Sequence, residues 1–195
     1  MLGLASTLTK GGASLLTFVK DNLKLYLDFK SNKSDTLKFP SEGSTSFDGS
    51  SDKITFTRQV FTGAFTISWW FNGDTQTFYQ RMFNDSTSAN NNILTKDANG
   101  LVTIRINGTY RANISGVPHN QWCHLAFTRD GSGNIKSYLN GVASGTATDT
   151  DEFALDFIGE QVVCSMCNVA LWSRELEPEE IQSIMNKSYS QLKGV

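Results

Sequence analysis

The chain has 195 residues, with 17 Lys and Arg against 19 Asp and Glu, three Cys, two His and three Pro. That length suits one domain with a sizeable core, and a net charge of −2 leaves no footprint for sequence-independent nucleic-acid binding. Two His and an odd number of Cys leave little for a zinc site or a disulfide framework. Ser, Thr, Asn and Gly together number 71 while charged residues make up 18%, a composition rich in turn formers and poor in helix formers. It predicts an all-β chain with an uncharged polar surface.

Residues 1–20 (MLGLASTLTKGGASLLTFVK) are mildly apolar, yet they lack a basic n-region and are split by Lys10-Gly11-Gly12, which argues against a cleaved signal peptide. No apolar run approaches the ~20 residues that span a bilayer, so no membrane insertion is expected. Residues 1–22 are read as an arm for assembly or attachment, and 23–195 as one domain. Asn-x-Ser/Thr sequons at Asn32, Asn84, Asn107, Asn113 and Asn186 arise by chance in so Ser/Thr/Asn-rich a chain and do not argue for glycosylation.

Strand patterns then follow in order: LKLYLDF (23–29), DKITFTR (52–58), AFTISWWF (64–71), LVTIRI (101–106), TYRANI (109–114), CHLAFTRD (123–130), IKSYLNG (135–141) and VCSMCNVALW (163–172). Asn-Gly and Asp-Gly pairs punctuate them, among them Asn107-Gly108 and Asn140-Gly141, and these pairs favour the positive φ of tight hairpins. Short strands at this spacing predict a sandwich or barrel. One helix is expected near the end, with Pro178 at its first position and Glu179 and Glu180 at the positive end of its dipole. Ile181, Ile184, Met185 and Tyr189 share one face of it.

Cys164 and Cys167 form a C-x-x-C within VVCSMCNVALW. Redox or metal use of that motif normally needs a helix N-terminus, whereas strand alternation sends these two side chains to opposite faces. Buried free thiols are the reading for all three cysteines. In FTISWWF, Phe65, Ile67, Trp69 and Phe71 share one face, a core stripe, while Thr66, Ser68 and Trp70 share the other. Trp70 is therefore either covered by a loop or the helix, the favoured reading, or open to stack on a ligand.

Five pieces in order resemble the laminin-G-like, concanavalin A-like lectin/glucanase superfamily. SFDGSSDKITF (46–56) resembles its first core hairpin and FTISWWF (65–71) its central strand. QWCHLAFTRDGSGNIKSYLNG (121–141) resembles its W-x-H strand and the turn after it. IGE (158–160) and NVALWSRELEPEEI (168–181) resemble its later strand and its closing strand and helix. The resemblance implies a jelly-roll β-sandwich with a short C-terminal helix. The family usually has an aromatic–His pair where Trp122 and His124 stand; His124, with no second His nearby, reads as a satisfied structural histidine.

Some members of this superfamily are glycosidases, which need two carboxylates at a set separation. Here DEFALDFIGE (151–160) places Glu152, Asp156 and Glu160 four apart, a spacing that alternation puts on one face as scattered surface charge. No other catalytic motif is present, so the chain is expected not to be an enzyme. Ca²⁺ wants six to eight oxygens, several of them carboxylates. Where the resemblance implies calcium ligands the chain has Asn90-Asn91 and Glu160-Gln161, but an expected Asp has become Asn90, another is Val162, and Cys167 stands where many relatives carry Asp. No metal or other cofactor is therefore expected, with Asn90, Asn91, Glu160 and Gln161 as the weak candidates should Ca²⁺ bind.

The polar loop NDSTSANNN (84–92) offers Asp85, Asn90, Asn91 and Asn92 as weak ligand-binding candidates on a sandwich rim, although a solvated loop is the default. Two readings result. The favoured one is a structural or adhesion protein that forms homo-oligomers, a trimer among them, and joins a larger assembly through its arm. Its MLGL…GG start resembles small structural proteins of bacteriophage virions, which implies a virion-surface location. The alternative is an extracellular lectin that binds a glycan through rim loops. No cluster of acidic and aromatic rim residues stands out in the sequence, which favours the first.

Overall fold

The computed structural model describes residues 21–27, 44–75, 77, 79–97 and 99–185. The arm up to residue 20, the sequons at Asn32 and Asn186, and Tyr189 lie outside the described residues. In chain order the strands are β1 (Leu23–Leu27), β2 (Thr45–Asp48), β3 (Lys53–Phe61), β4 (Phe65–Gly73), β5 (Arg81–Asn84), β6 (Asn92–Asp97) and β7 (Leu101–Ile106). Then come β8 (Thr109–Ile114), β9 (Cys123–Arg129), β10 (Asn134–Leu139), β11 (Val142–Thr148), β12 (Phe153–Gln161) and β13 (Val163–Trp172). A single helix among the described residues, α1 (Pro178–Met185), follows.

Two antiparallel sheets result. One runs β1-β13-β4-β9-β10-β11, with β2 also on β13; the other runs β3-β12-β5-β6-β7-β8. The predicted stripe Phe65, Ile67, Trp69 and Phe71 is buried between them, where Trp69 meets Phe83 edge-on at 4.9 Å and lies stacked at 6.3 Å from Phe127. Apolar area removed from water here drives the fold, at about 25 cal/mol per Å². At one side the layers are tied by polar contacts: Ser137 Oγ donates to the Asn113 carbonyl (2.7 Å), and Ser115 N–H donates to Ser144 Oγ (3.0 Å). The Asn-Gly turns behave as their chemistry requires. Asn107 and Gly108, then Asn140 and Gly141, all have positive φ and close the β7–β8 and β10–β11 hairpins.

The expected hairpin over 46–56 does not form. Strand β2 pairs with β13 and β3 with β12, so the two lie in different sheets. The cause is a corner built on Asp48, whose Oδ1 accepts from the N–H groups of Ser50 and Ser51 (both 2.9 Å) and Asp52 (3.2 Å). With those donors consumed, the chain turns across the sandwich edge.

The outer face of the seven-stranded sheet is covered by α1. Leu176, Ile181 and Ile184 pack on Ala126, Tyr138, Ala170 and Trp172. Pro178 opens the helix, and Glu180 reaches back to the Glu177 N–H (2.9 Å) while holding Arg174 through both oxygens (2.9 Å each). All three cysteines are free and buried, with Cys164 in the core and Cys167 on the opposite face, opposite Trp70 in the ladder. No helix among the described residues is long and apolar enough to cross a membrane.

Candidate functional site

The face of the six-stranded sheet turned away from the core carries a groove of about 420 Å³, within the usual range of ligand pockets. Its floor comes from three adjacent strands: Phe157 of β12 lies opposite Thr55 of β3 on one side and Asn84 of β5 on the other. Phe157 is half-buried, and Lys53 Nζ stands 5.5 Å from its ring centroid. Arg81, Asp156 and Glu160 also face the groove, and the loop 85–91 walls one end.

Strand β12 builds this site by departing from regular alternation. Its register shifts between Leu155 and Phe157, and Gly159 and Glu160 both have positive φ. Such a bulge re-aims side chains. Asp156, Phe157 and Glu160 reach the groove, while Glu152 sits by Arg58 at 3.5 Å. Phe157 joins Asp156 and Glu160 there, so the expectation that no acidic–aromatic cluster exists fails. The signal was the Asp-Phe-x-Gly-Glu run, with a Gly placed to break the strand.

Of the sequence candidates, Asp85, Asn91, Glu160 and Gln161 line this groove; Asn90 and Asn92 do not. The loop is less solvated than its composition suggests, because Asp85, Asn91 and Asn92 are buried and only Asn90 of the four is exposed. Asp85 takes Arg58 in a fork (2.9 and 2.8 Å) and accepts from the Thr87 hydroxyl (2.8 Å). Although burial opposes its charge, the Arg58 guanidinium and Thr87 hold its carboxyl down at about 2. Asn91 Oδ1 accepts from the Asn107 N–H (3.1 Å), and Asn92 donates to the Ala89 carbonyl (2.9 Å).

This donor set does not fit Ca²⁺. Both oxygens of Asp85 face Arg58, Asn91 Oδ1 is spent on the backbone, and Glu160 holds Lys53 Nζ at 2.9 Å. A guanidinium stands where a cation would be drawn. Among the described residues, no three of His, Cys, Asp and Glu converge as a metal site.

A second, much smaller pocket lies under α1 on the other sheet. Ser68 Oγ and His124 Nε2 share a hydrogen bond of 2.7 Å, Trp70 meets His124 edge-on at 5.6 Å, and Ile184 roofs the space. Trp70 is half-buried there, in keeping with partial cover by the helix. His124 is not fully satisfied: its buried Nδ1 has no hydrogen-bond partner. Burial drives its basicity down to about 3.

Two antiparallel sheets, a helix closing one face and an aromatic-floored groove on the other define a lectin-like β-sandwich. The chain belongs to the concanavalin A-like lectin/glucanases superfamily, whose family model matches residues 48–182. Similar solved structures include the botulinum neurotoxin serotype D ligand binding domain in complex with N-acetylneuraminic acid (TM-score 0.67, 16% identity, 88% of this chain and 52% of that one). Another is the receptor binding domain of botulinum neurotoxin D (0.65, 17%, 86% and 53%). A third is domain 4 of AbnA, an extracellular arabinanase from Geobacillus stearothermophilus, in complex with arabinotriose (0.50, 20%, 63% and 66%). The aligned part spans about half the length of the neurotoxin domains. A search of curated proteins found no match.

Proposed function

We propose that this chain is a non-enzymatic glycan-binding domain whose site is the groove over Phe157. One observation carries the reading: a half-buried aromatic ring set among hydrogen-bonding side chains on the outer face of a lectin-like sheet. A sugar presents an apolar C–H face to such a ring and hydroxyls to the groups around it. The sugar complexes among similar structures support the same assignment. Glycoside cleavage is disfavoured because every groove carboxylate is already engaged, Asp85 by Arg58, Asp156 by Ser86 and Glu160 by Lys53. A role in adhesion, on a virion surface or outside a cell, is consistent with this and is the wider setting we propose. The glycan reading ranks first because the groove over Phe157 and the sugar complexes of similar structures support it directly.

The test is a glycan array followed by calorimetry on the hits. Binding is expected, and Phe157→Ala should weaken it by about tenfold or more without unfolding the protein. Binding that ignores Phe157→Ala would move the site elsewhere. A symmetric particle mass in solution would support the adhesion-assembly setting; a monomer would remove it.

A further inference from the structure

Within that groove the charges are unevenly spent. Asp85 is locked to Arg58, and Glu160 to Lys53. Asp156 is bound to Ser86 through both oxygens, one accepting the N–H (2.8 Å) and the other the hydroxyl. Arg81 differs. Half-buried at the start of β5 and opposite Gln161 in the ladder, it makes no ion pair or side-chain hydrogen bond among the described residues. It lines the same groove as Phe157.

A half-buried guanidinium is held partly out of water with its planar fork of donors unused, and that fork matches a carboxylate in two parallel hydrogen bonds. The three carboxylates around it cannot easily swing over to it, since each would have to abandon a partner it already has. We propose that the groove is specific for an acidic sugar, one that lays its ring on Phe157 and its carboxylate on Arg81. The assignment rests on the glycan reading above and deepens it.

The experiment compares paired probes that differ only in charge: a galacturonic acid trimer against its methyl ester, and sialyl-lactose against lactose. Affinities are measured by calorimetry for the wild-type chain, Arg81→Gln, Arg81→Lys and Phe157→Ala, each checked by thermal melting. The wild type is expected to favour the acidic member of at least one pair by about tenfold, a preference that shrinks as salt is raised. Arg81→Gln should abolish that preference by weakening the acidic probe about tenfold more than the neutral one, and Arg81→Lys should restore part of it. Equal affinity within both pairs, or an acidic preference that survives Arg81→Gln, overturns the inference. In that case neutral binding that is lost in Phe157→Ala leaves the glycan reading standing. If no probe binds at millimolar concentration, or Phe157→Ala binds as the wild type does, the glycan reading itself fails.

Discussion

His124 shows how far one position can be read from sequence. Its place on the outer face follows from alternation, but its environment is made by α1, which closes over it and leaves Nδ1 without a partner. Because burial lowers the ring from its ordinary 6.5 to about 3, the unfolded chain takes up a proton that the folded one refuses. The stability from the neutral ring is complete above about pH 6.5 and drains as pH falls toward 3, at up to about 1.4 kcal/mol per unit. Urea unfolding between pH 6.5 and 4.5 should therefore show a loss of about 2–3 kcal/mol that is absent in His124→Gln. Parallel curves for the two proteins would contradict it. Arg129 is the converse case: alternation puts it on the core face with Leu125 and Phe127, and it is 1% exposed. Its charge is tolerated because it donates to the carbonyls of Gly63, Phe61 and Asp151 and lies 4.7 Å from the centre of the Phe65 ring.

At the scale of elements, α1 is too short to be stable alone, and its position is set by what it buries. Ile181 is fully buried, and Thr66 anchors the approach to the helix by accepting from Leu176 N–H and donating to the Arg174 carbonyl, both at 2.8 Å. Ile181→Ala should cost about 2–4 kcal/mol in chemical denaturation. Ile181→Asp should detach the helix and make Trp70 more accessible, read as a red-shifted and more quenchable tryptophan emission. The groove is element-scale too: the loop after β5 is pinned by Arg58 through Asp85. Arg58→Gln strands a buried carboxylate and should lower stability by about 1–3 kcal/mol, measured by thermal and urea unfolding.

Across the molecule, the three thiols report on the whole fold. Burial pushes Cys123 up to about 12 and Cys164 up as well, and Cys167 is fully buried. A disulfide reagent at pH 8 should therefore label none of them faster than the sandwich opens, at least about a thousandfold slower than in urea. In urea, mass spectrometry should count three adducts. Rapid labelling of one thiol in the native protein would show that the sheet around it opens locally.

Much of the fold is local and so was written in the chain. Alternation set the faces of β4 and sent Cys164 and Cys167 apart, Asn-Gly pairs made hairpins, and Pro178 with Glu180 began the helix, because each of these depends on neighbours a few residues away. The 46–56 segment defeated the same logic, since two strands joined by a short turn can pair or part, and the Asp48 corner settled it in favour of parting. The groove was hidden for a related reason. Phe157, Arg81 and Asp85 come from distant parts of the sequence, and Phe157 faces outward only because β12 slips its register. Period-two reading assumes that register is kept. The polar composition thus determined a β-sandwich with a hydroxyl- and amide-rich surface, whereas only strand pairing decided which of those residues share a groove and which guanidinium in it has no side-chain partner among the described residues.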